Sequence, residues 1–353
     1  MKSFWAGKKV LITGHTGFKG SWLTYYLLKQ KAEVCGIGLE PENKTSLYNL
    51  LNITNLIDDN IVDITNYDLS KQIITNFQPD IVIHMAAQAF VREGYSNPIK
   101  TYNSNIMGTV NVLDSLRSID SIRVGIFITT DKVYKEQILK KPYKENDLLG
   151  GKDPYSASKS ASELIIDSYK ESFLNELGIS ISTARAGNVI GGGDWSKDRI
   201  IPDAVKNWSD NKILSIRNPD ASRPWQHVLE PLNSYLKLAE LTWDNNLLSG
   251  HYNFGPDADE IHTVKNVVSK LKTHFTHLNP KIEFQKLEDN YKESDWLALD
   301  NTKSRENLGI EPVWNFEECI NIVGNWYSNF YKGISAEELC DIDISKYEKK
   351  INA

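Results

Sequence analysis

Six short apolar runs alternate with longer amphipathic stretches over the first 185 residues, and no other property of the chain restricts its fold as much. The runs Val10–Thr13, Glu33–Ile37, Ile61–Asp63, Asp80–Ile83, Val124–Thr129 and Ile179–Ala184 read as buried strands. Helical patterns lie between most of them: Ser21–Lys29, Ser70–Phe77, Tyr102–Ser118 and Tyr155–Leu177. Such alternation implies a parallel sheet covered by helices on both faces. The pattern stops near residue 186. Residues 186–226 are rich in glycine, aspartate and tryptophan, and the last hundred residues mix helices with short strands. No low-complexity linker separates the two parts, so the second should pack directly on the first. The segment Lys346-Tyr347-Glu348 reads equally well as a frayed tail or a docked helix.

The chain has 353 residues, enough for one large or two closely joined domains with a substantial core. Its formal charge of -6 argues against a nucleic-acid or anionic-membrane partner, so any anionic substrate must be held by local arginines and lysines. Cys35, Cys319 and Cys340 are too scattered for a metal site or a disulfide framework, which suggests a reducing cytoplasm. No signal peptide or membrane span is legible.

Gly14-His-Thr-Gly17-Phe-Lys-Gly20 follows the first strand and opens the first helix. Glycines there let the backbone turn tightly and approach a pyrophosphate, while the helix start supplies free N–H groups. The place of the turn after strand one, more than the glycines themselves, favours nucleotide binding over a mere tight corner. The fold expected is α/β: a Rossmann-type doubly wound parallel sheet with a smaller mixed α/β C-terminal substrate domain. Residues 1–185, with a returning segment near 227–257, form the dinucleotide-binding part; 186–226 and 258–353 form the other. After the second strand, Gly36-Ile-Gly-Leu-Glu40 brings an acid only late and no arginine for a 2′-phosphate, although Lys44 is in reach. NAD is therefore favoured. Asp63, after the third strand, is placed to accept from an adenine amino group, or is an ordinary strand-end carboxylate.

His84-Met-Ala-Ala-Gln88 ends the fourth strand, where the small Ala86 and Ala87 would let a cofactor lie across the strand ends. His84 itself reads as a satisfied core histidine, and Asn105 as a brace for the site or a buried packing residue. Tyr155 and Lys159 are four apart on one helix, so both point into the same space. A buried ammonium beside a phenol lowers the phenol pKa and makes a general base. Asp153 and Pro154 cap that helix, and Thr129-Thr130-Asp131-Lys132 ends the neighbouring strand, where function gathers in open parallel sheets.

These stretches together resemble the extended short-chain dehydrogenase/reductases that modify nucleotide sugars. Further matches are Val91-Arg92, Gly150-Gly-x-Asp-Pro-Tyr-Ser-x-Ser-Lys159, Arg185–Trp195, Asp198-Arg199 and Ser222–Val228. Thr130-Asp-Lys132 makes the chain most similar to the CDP-glucose 4,6-dehydratase branch, since dTDP-glucose dehydratases carry Asp-Glu there. One departure is Lys292-Glu293-Ser294, where the family often has His-Glu-Ala.

The resemblance implies NAD contacts at Gly14, Thr16, Gly17, Phe18, Lys19, Gly20, Asp63, Ile64, Ala86, Ala87, Gln88, Asn105, Thr129, Tyr155 and Lys159. It implies catalysis by Thr130, Asp131, Lys132, Tyr155 and Lys159, and substrate contacts at Asn188, Arg199 and Arg223, with no metal. Tyr155 would take the proton of the glucose 4-hydroxyl, Thr130 would bind the 4-oxygen, Asp131 would protonate the departing 6-hydroxyl, and Lys132 would handle the C5 proton. The implied substrate is a nucleotide-diphosphate sugar, CDP-glucose above others, and the implied assembly is a homodimer or dimer of dimers through the Tyr102–Ser118 and Tyr155–Leu177 helices. Two rival readings remain: a nucleotide-sugar 4-epimerase, which eliminates nothing and needs no Asp-Lys pair, and a non-catalytic cofactor-sensing protein, which would have no use for Tyr155 and Lys159.

Overall fold

The computed structural model describes residues 3–137, 139–257, 260–284 and 296–352; Lys292-Glu293-Ser294 lies outside them. Seven strands form one sheet: β1 (Lys9–Thr13), β2 (Glu33–Gly38), β3 (Asp58–Ile61), β4 (Ile81–His84), β5 (Val124–Ile128), β6 (Ser180–Ala186) and an edge strand, His251–Phe254. Their order is His251–Phe254, β6, β5, β4, β1, β2, β3, with every neighbouring pair parallel. The chain runs outward from β1 to β3, then returns to β4 on the other side of β1. A crevice opens at that reversal, beyond the C-terminal ends of β1 and β4.

The sheet is the doubly wound one expected, with two differences. The third strand forms at Asp58–Ile61, ahead of the apolar Ile61-Val62 that suggested it. It is the outermost strand and half exposed, so it needs no apolar run. The expected Tyr102–Ser118 and Tyr155–Leu177 helices each contain a π turn, at Asn103–Met107 and at Lys170–Leu174.

The helix that carries the Tyr-Lys pair runs Pro154–Tyr169; the Asp153 carboxylate accepts from Ser156 N at 3.0 Å and Pro154 fills its first turn. Ser156 and Ser160 line one side of it and Ser158 and Ser162 another, all buried and small enough for neighbouring elements to come close.

The second part packs without a linker. One apolar core runs from Ile12 and Ile126 on the sheet through Trp22 and Tyr235 to Trp208, Trp326 and Tyr347. Gly192 is where the two parts touch: a Cβ there would stand 2.0 Å from the Trp326 ring, and its carbonyl accepts from Trp22 Nε1 at 2.9 Å. Short strand pairs, Val189–Ile190 with Gln226–His227 and Ser222–Arg223 with His262–Thr263, lead the chain past the crevice. The terminal helix Ala336–Ile351 is docked, since Tyr347 is buried and its hydroxyl donates to Glu230 at 3.0 Å. Among the described residues no helix is long and apolar enough to cross a membrane.

His251 ties the edge strand to the Tyr155 helix. Its ring nitrogens lie 3.4 Å from Glu163 and 3.2 Å from Asp167. Burial opposes its charge, but the hydrogen bonds to Asp167 and Glu163 outweigh that and raise the imidazole to about 8. A folded-state value above the usual 6.5 means stability that is present below pH 6.5 and lost as pH rises through about 8. We expect the melting temperature of wild type to exceed that of His251→Gln at pH 6, by no more than about 2 kcal/mol in stability, and the gap to close by pH 9. A pH-independent gap in thermal melts would show that the charge is not the cause.

Candidate active site

The crevice begins at a turn packed against the end of β4. Gly14 has φ +78°, and a Cβ there would lie 2.8 Å from Ala86 N; one on Gly20 would lie 2.0 Å from Gly14 O. Gly17 differs. A Cβ on it would meet only Gly14 O, at 3.4 Å, so internal packing does not demand glycine at that position. Its bare face and the side-chain-uncapped start of the Phe18–Lys29 helix together fit a pyrophosphate. Thr16 Oγ1 donates to Leu39 O at 2.8 Å and ties the turn to the end of β2, and the Phe18 ring packs toward Gly191.

Asp63 is exposed and its Oδ1 accepts from Thr65 N and Oγ1 at 2.9 and 2.8 Å, a turn that leads into the next helix. Ile64 is buried against Gly108. His84 is the core histidine expected: Thr13 Oγ1 and Thr109 Oγ1 lie 2.7 and 3.1 Å from its two nitrogens, and burial, helped by the Lys159 charge, holds it neutral with a pKa of about 3. Asn105, in the π turn, is a brace. It accepts from Gln88 N at 2.8 Å and donates to Gln88 O at 3.0 Å and Ser158 Oγ at 2.8 Å, holding the strand-end loop beyond Ala86 and Ala87 to the Tyr155 helix. Thr129 gives its hydroxyl to Glu163 at 2.6 Å.

Tyr155, Lys159, Thr130 and Asp131 are all buried and converge beyond β5. The expectation that Lys159 makes Tyr155 a phenolate is not met by the protein alone. Burial pushes the phenol up to about 12; the Thr130 hydrogen bond pulls it down and Asp131 pushes it up again. Lys159 donates to Ile128 O at 3.0 Å, and burial lowers its own ammonium to about 8, with Glu163 opposing. A further positive charge beside the phenol is needed to make it a base.

Burial also raises the Asp131 carboxyl, against the pull of Lys132, Thr130 and Arg223. Thr130 Oγ1 donates to Asp131 Oδ1 at 2.9 Å, while Oδ2 is buried without a hydrogen-bond partner and faces Gly187. Lys132 is half-buried beside them.

The second part brings its arginines to this centre. Arg223 is buried and donates to Ser222 O at 2.9 Å, and its charge acts on Asp131. Arg199 is half-buried over the Phe90 ring at 5.3 Å, and its charge acts on Tyr155 and Lys19. Asn188 is half-buried and its backbone carbonyl accepts from Gln226 N at 3.3 Å.

Lys19 reaches inward: its Nζ donates to Tyr235 OH at 2.8 Å, and burial, with Lys159 and Arg199 beside it, lowers it to about 7. Tyr235, on the Leu229–Asp244 helix, carries no motif that marks it in the sequence. Glu163 was also missed, although its spacing of four from Lys159 and eight from Tyr155 put it on their face. Its carboxylate is ion-paired to Arg185 with both side chains buried.

Comparisons with known proteins give the family and support the fold. The GDP-mannose 4,6 dehydratase family matches residues 11–323. The chain belongs to that family. A CDP-glucose 4,6-dehydratase of Salmonella typhimurium is 39% identical over 352 residues, 98% of either chain. A dTDP-glucose 4,6-dehydratase of Haemophilus influenzae is 25% identical over 90% of this chain and 97% of its own. Among solved structures, the dTDP-glucose 4,6-dehydratase of Bacillus anthracis in complex with NAD superimposes with a TM-score of 0.75 at 21% identity, over 92% of this chain and 98% of that one. The UDP-glucose 4-epimerase of Thermotoga maritima gives 0.76 at 20%, over 92% and 99%. At these identities the two structures speak for the fold alone.

For a nucleotide-sugar dehydratase of this family, the unpartnered Asp131 Oδ2 is the atom to disturb. A methyl on Gly187 would lie 3.0 Å from it and 3.4 Å from Pro224 Cγ. Gly187→Ala should fold normally by circular dichroism and lose about tenfold in kcat, since small displacements of a reacting group are costly. Wild-type kcat in that variant would put Oδ2 off the reaction path.

Proposed function

We propose that this protein converts CDP-glucose to CDP-4-dehydro-6-deoxyglucose through an internal oxidation, dehydration and reduction that uses NAD without net change. The observation that carries this reading is the buried acid Asp131, with its free Oδ2 and its Lys132 neighbour, next to Tyr155. An epimerase has no elimination for such a pair to perform. The 39% identical relative supports the cytidine nucleotide, as does lysine at position 132. Five basic side chains, Lys19, Lys132, Lys159, Arg199 and Arg223, gather about the Asp131 carboxyl and Tyr155, which suits an anionic dinucleotide and an anionic sugar nucleotide together.

Bound NAD supplies the acceptor for the hydrogen leaving C4, the donor that returns it to C6, and a positive nicotinamide beside Tyr155. The turn at Gly14, Gly17 and Gly20 would hold its pyrophosphate, and the absence of arginine after β2 supports NAD over NADP. Tyr155 takes the 4-hydroxyl proton once that positive charge offsets its burial. Lys159 holds its place through the Ile128 carbonyl and binds the cofactor ribose. Asp131 protonates the departing 6-hydroxyl, and Lys132, acting as the uncharged amine, directly or through a water, receives the C5 proton made acidic by the 4-ketone. Arg199 and Arg223 hold the diphosphate, guanidinium matching its oxygens in pairs.

The exposed apolar side chains of the two π-containing helices, Ile99, Tyr102 and Met107 on one and Leu164 on the other, support a homodimer, measurable by sedimentation equilibrium.

Incubation with CDP-, dTDP-, UDP- and GDP-glucose tests the reaction. The highest kcat/KM should fall to CDP-glucose, with a product lighter by one water and absorbing in the ultraviolet in base. A product of unchanged mass would make the protein an epimerase. In deuterated water, Lys132→Ala should place deuterium at C5 about a hundredfold more slowly than wild type. Labelling at an undiminished rate would remove Lys132 from that role.

A further inference from the structure

The turn that carries Asp131 and Lys132 is anchored at its far end by a tyrosine. Asp131–Val133 form one short helical turn, and Tyr134 follows it, buried. Arg185 Nη1 donates to the Tyr134 hydroxyl at 2.7 Å, and that hydroxyl donates to Asn253 Oδ1 at 2.6 Å. Chemistry fixes the direction of each bond. A guanidinium can only donate, so the phenol oxygen accepts from Arg185 and its single proton goes to Asn253. Asn253 Nδ2 donates to Tyr143 O at 2.9 Å and to Asp300 O at 3.2 Å, which leaves Oδ1 as the end of the amide that meets Tyr134. Burial keeps the phenol protonated against the pull of Arg185. The ring is held as well. It stacks on Tyr143 with centroids 4.8 Å apart and planes 4° from parallel, and the Arg185 guanidinium stands 4.9 Å from its centre.

Arg185 divides its donors between two parts of the site. Its Nε donates to Glu163 Oε1 at 2.8 Å and its Nη2 pairs with Oε2, and these bonds hold the helix of Tyr155 and Lys159. Its Nη1 serves the Tyr134 hydroxyl and Glu145 O instead. The helix has supports of its own besides: the Asp153 cap at its start and the bond from Lys159 Nζ to Ile128 O at 3.0 Å. None of these contacts runs through the Tyr134 hydroxyl. On the other side, the chain of bonds from Tyr134 through Asn253 reaches Asp300, whose backbone N–H donates back to Tyr143 O at 2.8 Å.

We propose that Tyr134 is a positioning residue for the elimination half of the reaction: its hydroxyl, locked between Arg185 and Asn253, sets the turn that presents Asp131 and Lys132, while oxidation at C4 depends on other contacts. The proposal rests on the dehydratase reading above. Asp131 and Lys132 stand three and two residues before Tyr134, so freedom at the end of the turn displaces their reacting atoms. Tyr155 and Lys159 keep their own supports and stay in place. The backbone of the turn also remains seated when the hydroxyl is removed, because Val133 O accepts from Ser160 Oγ at 2.7 Å and from Gly150 N at 2.8 Å. What the hydroxyl adds is the precise set of the turn, and a small displacement of a reacting group is costly.

The test separates the two halves of one turnover. With CDP-glucose, stopped-flow absorbance follows reduction of the bound cofactor and mass spectrometry follows loss of water. Tyr134→Phe keeps the stacked ring and removes the hydroxyl. Cofactor reduction should stay within about threefold of wild type while loss of water slows about tenfold, so reduced cofactor builds up to a higher level. Asn253→Asp still accepts from Tyr134 but gives up the donor to Tyr143 O and Asp300 O; it should show the same one-sided loss, and it carries the test if Tyr134→Phe does not fold by circular dichroism. Tyr143→Phe is the control. It removes from the same pair of rings a hydroxyl that accepts from Gln137 N at 3.1 Å and lies outside this chain of bonds, and both steps should match wild type. Loss of water at the wild-type rate in Tyr134→Phe and Asn253→Asp would overturn the proposal. So would slowing of both steps in one proportion, the mark of a hydroxyl that only steadies the fold, or a control as impaired as Tyr134→Phe. Wild type that yields no dehydrated product from CDP-glucose would sink the dehydratase reading instead, and the positioning role with it.

Discussion

Glu163 and Arg185 form an ion pair with no exposure to solvent, and the arrangement of the active site hangs on it. Glu163 lies on the same helix face as Tyr155 and Lys159; Arg185 is on β6. Burial works against the Glu163 charge, yet the Arg185 hydrogen bond and charge, with His251 and Thr129, bring it down to about 2. Arg185 also donates to Tyr134 OH at 2.7 Å and Glu145 O at 3.0 Å. One pair thereby fixes the rotation of the Tyr155 helix against three strand ends, because removing either charge would strand the other in the interior.

With the helix so fixed, the electrostatics of the centre follow from burial. Tyr155 and Asp131 are both pushed toward their protonated forms, and Lys19 and Lys159 toward their neutral ones. The protein by itself holds an acid and a latent base. The positive charge of a bound cofactor would favour the phenolate, and the negative charge of a diphosphate the protonated carboxyl.

Much of this was legible in the chain. The alternation of apolar runs gave six of the seven sheet strands, with only β3 displaced. It is an edge strand, and the polar Asp58-Asp59-Asn60 that forms it has no burial signal to read. The glycine turn, the Asp153 cap and the Tyr155–Lys159 spacing are local features with local causes. Lys19 was read as a cofactor contact from its motif; its descent to Tyr235 was not readable, since 216 residues separate the two. Thr129 and Thr130 stand side by side in sequence, yet one serves the Glu163 pair and the other the acid–base centre.

The sequence by itself determined the class of fold, the glycine turn after its first strand and the shared face of Tyr155 and Lys159, because periodicity, turn chemistry and spacing of four act over a few residues. Tertiary structure alone decided the state of those groups. Whether Tyr155 is a phenol or a phenolate, and whether Asp131 is an acid or a carboxylate, depends on how much water each has lost and which charges stand near it. Those charges, Arg199 and Arg223 among them, arrive from a part of the chain that only folding brings to the strand ends.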